Sequence, residues 1–73
     1  MSKQEMLSTR MLVAAHTARN LIEQIKKIEE DIQVPAIEKL SQIKKIREEI
    51  TKVGAEIDDI KKSIMLLNTH NVN

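Results

Sequence analysis

The residues of this chain best equipped for chemistry are two histidines, three lysine pairs and two acidic runs. An exposed histidine on a helical bundle can carry a phosphoryl group when its neighbours hold and activate the imidazole. His16 is flanked by Ala15 and Thr17, which do neither, and His70 is too far along the chain to share a ligand spacing with it. Glu29-Glu30-Asp31 and Asp58-Asp59 are rich in oxygen donors. Consecutive residues on a helix point about 100° apart, however, so these carboxylates do not converge on one ion. The absence of cysteine excludes disulfides, thiolate metal sites and thiol catalysis. There is no glycine-rich phosphate loop, and no nucleophile stands at a useful spacing from a base. The expectation is no enzyme: no catalytic, metal-binding or cofactor-binding residues, no cofactor and no small-molecule substrate.

The lysine pairs are Lys26-Lys27, Lys44-Lys45 and Lys61-Lys62. If nucleic acid were the partner, Lys26, Lys27, Lys44 and Lys45 would be its phosphate contacts along one face. The spacing favours a simpler account. Glu23 precedes Lys27 by four residues, Lys26 precedes Glu30, Lys44 precedes Glu48, and Asp58 precedes Lys62. Such pairs decorate solvated helix surfaces and contribute a few tenths of a kcal/mol each. A net charge of +1 gives no field to steer a polyanion, and with no aromatic residue there is nothing on which a base could stack. A second copy of the chain and another protein are the favoured partners, ahead of nucleic acid.

What must position all of these residues is a pair of heptad runs on either side of the only proline, Pro35. The first places apolar side chains at Leu7, Met11, Ala14, Ala18, Leu21, Ile25, Ile28 and Ile32. The second places them at Ile43, Ile46, Ile50, Val53, Ile57, Ile60, Ile64 and Leu67. Steps of three and four alternate without a miss, which is the a/d seam of a helix burying one stripe against another helix. Eleven isoleucines would favour strands on propensity, but a 3.5-residue repeat cannot serve a pleat of period two.

Ser2 and Glu5 have the spacing of a capping box, with Met1 and Met6 at the staple positions around it. The chain reads as a single all-α oligomerisation domain over 1–73. A helix over 3–33, a turn at 34–35, a helix over 35–67 capped by Asn68 and a frayed tail over 68–73 are predicted. The arms are of nearly equal length, so folding back at Pro35 gives a hairpin about 45 Å long. In that register Ala14 and Ala15 lie opposite Ala55 and Gly54, where small side chains would let the helices approach closely. The competing reading is one helix kinked at Pro35 in a parallel trimeric or tetrameric coiled coil. It is suggested by Ile at both a and d of the second run, and by a stripe carried across the proline through Ile32, Ala36, Leu40 and Ile43. Proline inside a helix costs about 3 kcal/mol, which favours the hairpin.

A chain of 73 residues without disulfides or metals gains stability by associating, so two hairpins are expected to form an antiparallel four-helix bundle. One further feature stands out. Leu12 and Val13, like Met65 and Leu66, occupy b and c positions that a single-seam heptad keeps polar. Together with Met6 they widen the apolar surface at the end of the hairpin where the two arms open. Flexible methionine surfaces suit adaptable protein binding. The expected role is a helical protein–protein interaction module, with a structural stalk or scaffold as the alternative and a nucleic-acid-binding hairpin dimer as the second alternative. No apolar run approaches transmembrane length, and Met11–Ala15 is too short for a signal core, so a cytoplasmic location is expected.

Overall fold

The computed structural model describes residues 2–71, the side chains of 70 and 71 excepted, as two helices that fold back on each other. Helix α1 spans Lys3–Glu30 and α2 spans Ala36–Asn71. The Cα trace measures 59 × 17 × 13 Å, a layer one helix thick. The chain therefore reverses at Pro35, and the continuous kinked helix is not adopted.

At its start, α1 is fixed by Ser2, whose Oγ accepts the Glu5 N–H at 3.1 Å. This satisfies one of the donors that every helix N-terminus leaves free. Met1, the other half of the expected staple, lies outside the described residues.

The end of α1 corrects the expected boundary: the helix stops at Glu30, not at Gln33. Asp31 is the cause. Its backbone is extended (φ −77°, ψ 105°), and its N–H donates to the Ile28 carbonyl at 3.3 Å. Its carboxylate accepts the Gln33 N–H at 3.0 Å, an Asx turn that competes with helical continuation. Across the connection, Lys39 Nζ donates to the Glu29 carbonyl at 3.1 Å, pairing one of the acceptors left free in the last turn of α1. Pro35 stands one residue ahead of α2, and its carbonyl accepts the Lys39 N–H at 3.0 Å. No described residue has a positive φ, so the reversal needs no glycine. Replacing Asp31 by alanine removes the Asx bond and is expected to cost about 0.5–1.5 kcal/mol. Chemical denaturation checks this; an unchanged midpoint would mean that Pro35 alone sets the turn.

The far end of α2 also differs from expectation. Asn68 does not take a left-handed cap conformation, and the helix continues through Asn71. Nothing over 68–71 offers the glycine or proline that would stop it. Val72 and Asn73, the rest of the expected tail, lie outside the described residues.

The core follows the heptad runs, but thinly. Leu7, Ala14, Leu21 and Ile60 are buried, all of them d residues. Met11, Ala18, Ile25, Ile28, Ile43, Ile46, Ile50, Val53, Ile57, Ile64 and Leu67 are only half-buried in the single hairpin. A single facing helix shields a seam from one side only. Ile32 leaves the seam altogether, at 94% exposed, because the turn at Asp31 takes it off the stripe. The proposed close approach at Gly54 is likewise corrected. A Cβ built on Gly54 would meet nothing within 4 Å, and Ala15 and Ala55 are exposed beside the buried Ala14.

Candidate interaction surface

Two helices in contact leave a broad flank on either side of the line where they meet, and heptad position decides which residues each flank carries. In α1, g residues are Lys3, Arg10, Thr17 and Gln24; in α2 they are Gln42, Glu49, Glu56 and Ser63. Every one is polar. Arg10 and Glu56 approach to 3.8 Å there, with both side chains more than half exposed, so the pair contributes at most about 1 kcal/mol. It is the one ion pair among the described residues. The i,i+4 pairs expected along each helix do not close, because long exposed side chains gain little by being held together.

The opposite flank is different. Its e residues are Ser8, Ala15, Ile22 and Glu29 in α1 and Leu40, Arg47, Gly54, Lys61 and Asn68 in α2. Five of the nine, Ser8, Ala15, Ile22, Leu40 and Gly54, are small or apolar, and all nine are exposed. Beside them run the half-buried a residues Met11, Ala18, Ile25, Ile43, Ile50 and Ile57. Glu29, Leu40, Ile43 and Arg47 line an open groove near the turn on this side. Ile22, Ile37 and Leu40 are exposed apolar residues that the a/d pattern passes over. For Ile22 and Leu40 the readable signal was an apolar residue at e, one step beyond the seam.

Met6, Leu12, Val13, Met65 and Leu66 are 49–72% exposed; Met6, Met65 and Leu66 lie at the open end, whereas Leu12 and Val13 stand nearer the middle of α1, Val13 at the level of Val53 and Glu56. The fold does not gather them into a single patch. Met6 and Leu66 share a groove with Lys3, Leu7 and Arg10, and Val13 lines the adjoining one with Arg10, Thr17 and Glu56. These three c residues border the polar flank. Leu12 and Met65, at b, border the flank that carries Ala15 and Ile22. Apolar surface thus lies on both sides of the half of the hairpin away from the turn.

The other candidates are dispersed. His16 is exposed, and the side chain of His70 lies outside those described. Lys26, Lys27, Lys44 and Lys45 are all exposed. Among the described residues, no three His, Asp or Glu side chains gather as metal ligands, and no helix is long and apolar enough to cross a membrane. The chain matches no family model, no curated protein and no solved structure.

Proposed function

We propose that this chain is a non-enzymatic helical interaction module, a small regulator, adaptor or assembly factor that works as a homo-oligomer. Two hairpins form an antiparallel four-helix bundle, and the open end engages another protein. The observation that supports this reading is the set of exposed apolar side chains at b and c positions between the open end and the middle of α1, with Val13 and Leu66 each more than 60% exposed. Five large apolar side chains left in water on one half of a small, otherwise polar hairpin are surface that a partner would cover.

The test is Val13→Lys combined with Leu66→Lys. Both positions are exposed and lie outside the a/d seam, so helicity by circular dichroism and mass by light scattering should match the parent. Proteins retained by the immobilised parent from an extract of its native host should be lost from the variant. A different result defeats the reading. If the parent holds duplex RNA or DNA at physiological salt, and glutamine at Lys26, Lys27, Lys44 and Lys45 abolishes that binding while the Val13/Leu66 variant keeps every association, nucleic acid is the ligand.

A further inference from the structure

We infer that the second copy docks on the flank carrying Ala15, Ile22, Leu40 and Gly54, with the two hairpins pointing in opposite directions. This deepens the homo-oligomer reading above and rests on it. The first argument is area. A folded monomer of 8.4 kDa should expose about 4600 Å², whereas this hairpin exposes 6057 Å². A compact dimer of twice the mass should expose about 7700 Å², so pairing two hairpins to ordinary compactness removes about 2200 Å² from each. The total falls within the range of about 2000–5000 Å² that obligate dimers bury. A layer 13 Å thick leaves its half-buried isoleucines partly in water until a second layer covers them.

The second argument selects the flank. On the polar side a partner would have to desolvate Arg10, Thr17, Gln24, Glu49 and Glu56. On the other side it meets Ala15, Ile22, Leu40 and Gly54, with half-buried Ile25 and Ile50 behind them. Obligate interfaces are depleted of charge at their centres. The charged residues of this flank, Glu29, Arg47 and Lys61, stand a heptad or more from Ala15 and Gly54, outside the small-residue centre.

The third argument sets the direction. Ala15 and Ala18 fall near the midpoint of α1 and Gly54 near the midpoint of α2. In a two-fold dimer with opposed ends the midpoint of one chain meets the midpoint of its copy, because residues near the axis contact their own equivalents. The smallest side chains of the flank then stand where the layers meet. Gly54, with open space where its Cβ would be, gains a role that the single hairpin does not give it.

The experiment compares charge additions on the two flanks of one helix. Ala15→Lys with Ile22→Lys should reduce the parent dimer to monomer in sedimentation equilibrium, weakening association at least 100-fold. Thr17→Lys with Gln24→Lys should leave it dimeric. Because added charge could also unfold the hairpin, Gly54→Leu is the second probe. It improves helix propensity, yet should weaken association at least tenfold. Spin labels on an Ile32→Cys variant, at the exposed turn, should lie about 40–60 Å apart between chains. A parent that is monomeric at high concentration defeats the homo-oligomer reading and this inference with it. A dimeric parent broken by the Thr17/Gln24 changes and spared by the Ala15/Ile22 and Gly54 changes overturns the flank alone. Labels within about 20 Å overturn the direction alone.

Discussion

Ile60→Ala is expected to be among the most damaging single changes in the chain. Ile60 is 2% exposed, the lowest value in the structure's small core. Truncating a buried isoleucine to alanine costs about 2–5 kcal/mol through lost transfer energy and the cavity left behind. Small domains have only about 5 kcal/mol or a little more in reserve. The variant should therefore lose much of its helicity at temperatures where the parent is fully folded, as read by circular dichroism. Ile37→Ala is the matched control: the same chemistry on the same helix at a highly exposed position, expected to change stability by no more than about 0.5 kcal/mol. Equal effects at the two positions would mean that the helices do not pack through Ile60.

The half-buried seam gives the second large effect. In an isolated hairpin, Ile25 and Ile50 keep part of their surface in water, and alanine at either should cost less than at Ile60. Covered by a second hairpin, each loss should rise to about 2–5 kcal/mol. The parent itself reports which case holds. If folding and association are coupled, a hundredfold increase in protein concentration adds about 2.7 kcal/mol of apparent stability, which moves Tm upward by several degrees. The midpoint would then climb steadily from micromolar to near-millimolar samples. A midpoint independent of concentration removes the oligomer and restores the smaller cost at Ile25 and Ile50.

The helical class and the reversal at Pro35 were legible because period and proline act locally: a 3.5-residue repeat selects helix, and proline opposes its continuation. The boundary at Glu30 was not, although its agent was in plain sight. Beside Glu29 and Glu30, Asp31 reads as one more surface charge, and its use as an Asx-turn acceptor depends on a backbone geometry that composition does not reveal. Ile32 was lost from the seam for the same reason. The close approach at Gly54 does not form because a register can place two small residues at one level without making them face each other. Burial was the hardest to read. An a/d pattern states that a stripe avoids water, but it does not state how much of the cover comes from the same chain. Val13 and Leu66 stood out at c from the pattern alone, whereas their separation from Leu12 and Met65 onto opposite flanks required the fold.

The bond from Lys39 to Glu29 also bears on how the hairpin comes to be made. It joins residues ten apart in the chain, whereas Arg10 and Glu56, the ion pair further along, are separated by 46. Closing the longer loop first would cost about 1.3 kcal/mol more in chain entropy than closing the shorter one. Once the short loop is shut, each further turn of α1 and α2 adds its contacts with almost no new loop to close. The arms should therefore zip from Asp31 outward and unzip in the reverse order. Backbone amides are then expected to exchange with deuterium on a gradient, slowest on the turn side of the buried core and fastest towards Lys3 and Leu67.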